Sequence, residues 1–134
     1  ATKDNLPIVN SAAGSPRIYQ KGSFVLGMLE YVVGHEDYQR VIQYYLKKHA
    51  FDVVETYDLQ IAFHDVLGLN LDWFFDEWLE TAKTCDYGIK KVKKDSIGYA
   101  ITIKRYGEIQ MPIDFTVTDE DNHQKTYHIS NNFF

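Results

Sequence analysis

Residues 71–79 read Leu71-Asp72-Trp73-Phe74-Phe75-Asp76-Glu77-Trp78-Leu79. At a helical period these apolar side chains cover most of the circumference, so the helix has to be wedged between neighbours. Asn70 supplies its N-cap, and the neighbours lie upstream. Ser15-Pro16 makes a good helix start, with serine as cap and proline at the first helical position. Ile18, Gly22, Val25, Leu26, Leu29, Val32 and Val33 then form a helical stripe that Gly34 closes. A second helix is expected from near Asp37, with Tyr38, Val41, Ile42, Tyr45 and Leu46 on one face. Lys47, Lys48 and His49 complement the negative end of its dipole. A third runs from Thr56 or Asp58, turns Leu59, Ala62, Phe63, Val66 and Leu67 inward, and stops at Gly68. Residues 1–14 have no period and read as a loop or a cut end.

Downstream of residue 87 the period changes from helical to alternating. Tyr99, Ile101 and Ile103 face one way, as do Ile109, Met111, Ile113, Phe115 and Val117 in a later run. Turns are signalled at Lys94-Asp95-Ser96 and at Glu120-Asp121-Asn122, which predicts an antiparallel meander of about four strands. Pro112 has no N–H to donate, so its strand is expected at an edge or with a bulge. The expected fold class is therefore α+β, a bundle of about four helices over residues 1–85 and a small β-meander over residues 86–134. Charge divides at the same place: residues 1–85 hold 12 acids and 7 bases, residues 86–134 hold 7 of each.

The whole chain has 134 residues, 45% hydrophobic and 25% charged, with a formal charge of −5. That composition buries a core and excludes disorder. The acidic balance argues against a nucleic-acid partner. No apolar run approaches a membrane span, and no signal peptide opens the chain, so localisation is left open. The single cysteine, Cys85, forbids an internal disulfide.

Few residues carry chemistry by spacing alone. His35-Glu36 opens like HExxH, but the position four residues after His35 is Gln39, so no metal ligand is assigned. His64, beside Asp65, reads as a surface histidine, since adjacent helical residues do not converge. His123 and His128 show no carboxylate at ligand spacing. The acids Asp58, Asp65, Asp72, Asp76, Glu77 and Glu80 read as a solvated helix face, with a surface for cationic substrates as the other reading. Lys90, Lys91, Lys93 and Lys94 read as a charge guard on an edge strand.

Tyr19-Gln20-Lys21-Gly22-Ser23-Phe24-Val25-Leu26-Gly27-Met28-Leu29 resembles the Tyr-x-Lys-Gly helix of the aminopeptidase N-like gluzincins, a family of zinc metallopeptidases. Three further stretches resemble the same family in order: Tyr45 to Phe51, Thr56-Tyr57-Asp58-Leu59, and Leu71 to Leu79. The resemblance covers residues 16 to about 90. It implies that Tyr19 is catalytic, its hydroxyl pointing at the tetrahedral intermediate as an oxyanion stabiliser. Gly22, one turn along, would let a neighbouring backbone approach. The family's HExxH, third glutamate ligand and substrate-amine glutamates lie upstream of the tyrosine and are absent here.

The chain is thus expected to be the C-terminal helical part of a gluzincin catalytic domain plus the opening of a following β-domain. The resemblance implies zinc and a peptide substrate for the parent enzyme, with no metal and no activity in this piece. It also implies packing against a missing upstream catalytic half. The other readings are a non-catalytic protein-interaction module and a lapsed peptidase on the same scaffold.

Overall fold

Hydrophobic period translates into element type at nearly every position. The computed structural model describes residues 6–9, 17–94 and 96–131, residues 17 and 18 by their backbone only. It divides the chain into two units, residues 1–82 and 83–134. The start expected at Ser15-Pro16, most of the loop over residues 1–14, the side chain of Ile18, and Asp95 of the first β-turn lie outside the described residues.

In the first unit a π-helical turn (Arg17–Lys21) leads into α1 (Gly22–Val33), followed by α2 (His35–Lys48), α3 (Thr56–Leu67) and α4 (Asp72–Leu79). Gly34, at φ 88°, separates α1 from α2, so α2 begins two residues before Asp37. Gly68 ends α3 in the left-handed conformation, at φ 67°, where a Cβ would be strained. The start of α3 is set by Asp58, whose Oδ2 accepts the Glu55 N–H at 2.8 Å. Asn70 caps α4 from one residue further out than a standard N-cap, its Oδ1 accepting the Asp72 N–H at 2.8 Å.

Helix α4 is wedged as its composition requires. Leu71, Phe74, Phe75 and Trp78 are buried. Trp78 meets Phe24 of α1 with ring centroids 5.8 Å apart, and Phe75 meets Phe63 of α3 at 6.5 Å. Val25, Leu29, Val41, Ala62 and Phe63 complete this core. Outside it, Tyr44 Oη and Lys48 Nζ of α2 both donate to Asp65 Oδ2 of α3 at 3.1 Å. The Lys48 ammonium and then the Tyr44 hydroxyl hold the Asp65 carboxyl below its ordinary pKa. Asp65 in turn raises Lys48.

The second unit confirms the α+β class and shows how its four antiparallel strands pair. They form two hairpins, β1 (Tyr87–Lys94) with β2 (Tyr99–Arg105), and β3 (Ile113–Thr118) with β4 (Gln124–Ile129). The first hairpin carries a bulge between Ile89 and Lys91, and the second keeps one register from Ile113↔Ile129 to Thr118↔Gln124. Ile109 and Met111, expected within a strand, instead lie in the connection and are buried. Their backbone groups are engaged elsewhere. Glu108 and Ile109 donate to the Thr84 carbonyl, and the Met111 N–H donates to Tyr87 Oη at 2.9 Å. Pro112 offers no donor, so the ladder starts only at Ile113.

Candidate active-site turn

Tyr19 lies on the π-helical turn that precedes α1. A π-turn widens the helix by one residue, and such turns are frequent at functional sites. Its side chain is 74% exposed, and its hydroxyl has no partner among the described residues. The phenol is available to an incoming group. Gly22 does not show the close approach expected of it, because no described atom comes within 4 Å of where a Cβ would stand.

Two residues further on, Lys21 points the other way, as side chains at i and i+2 on a helical turn do. Its Nζ donates to the Leu6 carbonyl at 3.0 Å and to the Thr81 carbonyl at 3.3 Å. Thr81 lies two residues past the end of α4, and its Oγ1 donates to the Glu77 carbonyl at 2.5 Å. The Leu79 carbonyl accepts the N–H groups of Ile8 and Val9 at 2.9 and 3.2 Å. The C-terminal end of α4 therefore anchors both residues 6–9 and the π-turn. No local sequence signal marks this arrangement, because the acceptors are backbone carbonyls 15 and 60 residues from Lys21.

The acidic residues are mostly engaged in local structure. Asp58 caps α3, Asp65 is held by α2, and Asp72 accepts from Asn70 Nδ2 at 2.9 Å and from Gln60. Asp76 and Glu80 line an open cleft of 560 Å³ with Glu55, Tyr57, Phe75 and Leu79. His35 Nδ1 lies 2.5 Å from Glu30 Oε1. His64 is 4.0 Å from Asp65 Oδ1.

The two last histidines do have carboxylate neighbours, contrary to the reading from spacing. His128 pairs across the β3–β4 ladder with Asp114 at 2.8 Å, and His123 with Asp119 at 3.1 Å. Cross-strand register and a tight turn bring these together, and a linear spacing rule sees neither. Among the described residues, Asp119, Asp121 and His123 are a group with ligand atoms within 4.8 Å of one another, all exposed on the β3–β4 turn. Asp119 Oδ1 is already committed there, accepting the N–H groups of Asp121 and His123 at 2.9 and 2.8 Å. In the first unit, no described histidine meets a second ligand of the HExxH kind. The described residues therefore do not offer the ligand set that the resemblance implies for zinc.

Residues 12–78 match the model of the Peptidase family M1 domain. Among curated relatives, the Tricorn protease-interacting factor F2 of Thermoplasma volcanium is 31% identical over 105 residues, 74% of this chain and 13% of that protein. Aminopeptidase N of Streptomyces lividans is 39% identical over 64 residues, 48% of this chain and 8% of the relative. Glutamyl aminopeptidase of Bos taurus is 37% identical over 60 residues, 45% of this chain and 6% of the relative. No solved structure matches.

Proposed function

We propose a function from one premise: this chain belongs to peptidase family M1. In our reading it supplies the C-terminal helices of a metallo-aminopeptidase catalytic domain and the start of the β-domain behind them. The whole enzyme removes residues from the N-terminus of peptides, and Tyr19 is one of its catalytic groups. The observation that carries this is the exposed Tyr19 phenol, on the turn that opens the Tyr-x-Lys-Gly helix. A phenol there can donate a hydrogen bond to the oxyanion that develops on the scissile carbonyl. A donor fixed before the reaction stabilises that charge more than reorienting water does.

The chain spans about an eighth of the length of the relatives that match it over most of its residues. The zinc that goes with the family would be held by residues outside these 134, since the groups here do not fit it. The 134 residues alone are then inactive and metal-free, and they pack against the remainder of the catalytic domain. No helix among the described residues is long and apolar enough to cross a membrane.

Hydrolysis of aminoacyl anilides tests this reading, measured on the 134-residue chain and on the complete polypeptide that carries it. The complete polypeptide is expected to cleave and to hold about one zinc per chain, as a single-metal peptidase site does. The 134 residues alone should do neither. Hydrolysis by the 134 residues alone, or none by the complete polypeptide with its metal loaded, would contradict the proposal.

A further inference from the structure

The geometry points to Lys21 as the positioning residue of the Tyr19 turn, an ammonium clamp that fixes where the phenol stands. This inference rests on the reading of Tyr19 given above. Three segments meet at Lys21 Nζ: residues 6–9, the π-helical turn, and the end of α4. The ammonium donates to the Leu6 carbonyl at 3.0 Å and to the Thr81 carbonyl at 3.3 Å. An ammonium has three protons to donate and no acceptor. Two backbone carbonyls from separate segments take up two of them.

Electrostatics favours the same place. The last carbonyls of a helix lack intrahelical partners and carry its partial negative charge. Helix α4 ends at Leu79 without a basic residue in its last turn, and Lys21, bonded to the Thr81 carbonyl two residues beyond it, brings a cation to that end. Thr81 is itself steadied by its hydroxyl on the Glu77 carbonyl.

Rigidity follows from what α4 is. Phe74 is fully buried, and Phe75 and Trp78 nearly so, so the end of this helix is a fixed point of the core. A clamp to it transmits that fixity to the turn, and Tyr19 lies two residues away on the opposite side. Ser23 Oγ donates to the Gln20 carbonyl at 3.0 Å, a local side-chain tie to the turn. Lys21 adds ties to residues distant in sequence. Lys21 touches no reacting atom in this account and acts through Tyr19 alone.

The test uses the complete polypeptide with metal bound, and compares Lys21→Met, Lys21→Arg, Tyr19→Phe and the double variant Tyr19→Phe/Lys21→Met. Misplacing a catalytic group by about 1 Å costs on the order of 100-fold. Lys21→Met should therefore lower kcat by about 10- to 100-fold with KM nearly unchanged. Lys21→Arg, whose fork can donate to both carbonyls, should recover most of it. In the double variant, Lys21→Met should cost nothing beyond Tyr19→Phe, because two residues acting as a unit are not additive.

A merely structural lysine would lower activity by the same factor whether or not Tyr19 is present, and that result overturns the clamp. So does a Lys21→Met enzyme with unchanged kcat while Tyr19→Phe is crippled. If Tyr19→Phe is itself silent, the reading of Tyr19 falls and the clamp falls with it. Should Lys21→Met fail to fold, the same comparison is made with Lys21→Gln. A loss in Lys21→Gln that persists undiminished on the Tyr19→Phe background rejects the proposal.

Discussion

Tyr19 and Lys21 show how one short turn divides exposure from anchoring. The phenol points outward, and the ammonium two residues on is spent on backbone carbonyls. Neither role follows from periodicity. A tyrosine at a helix start is ordinarily a packing residue, and only the resemblance of four ordered motifs singles out Tyr19. Lys21 stands in the same motif, but its contacts to the Leu6 and Thr81 carbonyls were not legible, because no side-chain pattern encodes a main-chain acceptor. A second polar contact makes a separate prediction. Asp65, lowered first by the Lys48 ammonium and then by the Tyr44 hydroxyl, favours folding when ionised. Its contribution is complete above the ordinary carboxylate pKa and is lost as pH falls through the lower folded value. Lys48, raised by the same contact, contributes below the ordinary lysine pKa and loses its effect as pH climbs through the raised value. Melting temperatures measured from pH 7 down to pH 2 should therefore fall further for the native chain than for Asp65→Asn. Parallel curves would mean that this clasp does not couple to folding.

Elements were legible where their hydrophobic period was strong and local. The apolar girth of α4 required burial between neighbours, and Phe24 of α1 and Phe63 of α3 provide it. Removing that packing should be costly: Phe74→Ala is expected to destabilise the helical unit by about 3–5 kcal/mol, measured by urea unfolding, and a loss below about 1 kcal/mol would show that α4 is not central. Strand boundaries were less legible. Alternation continues from Ile109 to Val117 in sequence, yet β3 begins at Ile113, because Thr84 and Tyr87 take the backbone donors before it. That connection depends on Gly107, where a Cβ would lie 2.3 Å from the Thr84 carbonyl oxygen. Such an overlap cannot be relieved by a rotamer, so Gly107→Ala should cost about 1–3 kcal/mol or more, read from the melting of the β unit. An unchanged melt would contradict the packing described. The β1 lysines sit on a bulged strand paired on one side only among the described residues, which is how edge strands are kept from pairing with other chains. Lys91→Val with Lys93→Val should accordingly raise light scattering at concentrations where the native chain stays clear.

On the scale of the whole molecule, two units of different character share one chain, an acidic helical unit and a β unit of two hairpins. The division of charge and the change of period near residue 85 are both visible in the sequence. The two hairpin turns are visible there as well, but not the interruption between the hairpins, where a tyrosine hydroxyl takes the Met111 N–H and Pro112 has none to give. The peptidase chemistry is legible only in part. Family M1 membership and an exposed tyrosine in the matching motif are present, and the sequence carries no HExxH. On the proposed function, this chain contributes one catalytic group, Tyr19, and the scaffold that fixes it. The measurement that bears on this most directly is the steady-state hydrolysis of an aminoacyl anilide by the complete, metal-loaded polypeptide with Tyr19→Phe. Loss of one oxyanion donor costs about 10²- to 10³-fold in kcat, and the account predicts that loss with an unchanged melting temperature. A Tyr19→Phe enzyme that turns over at the native rate would contradict it.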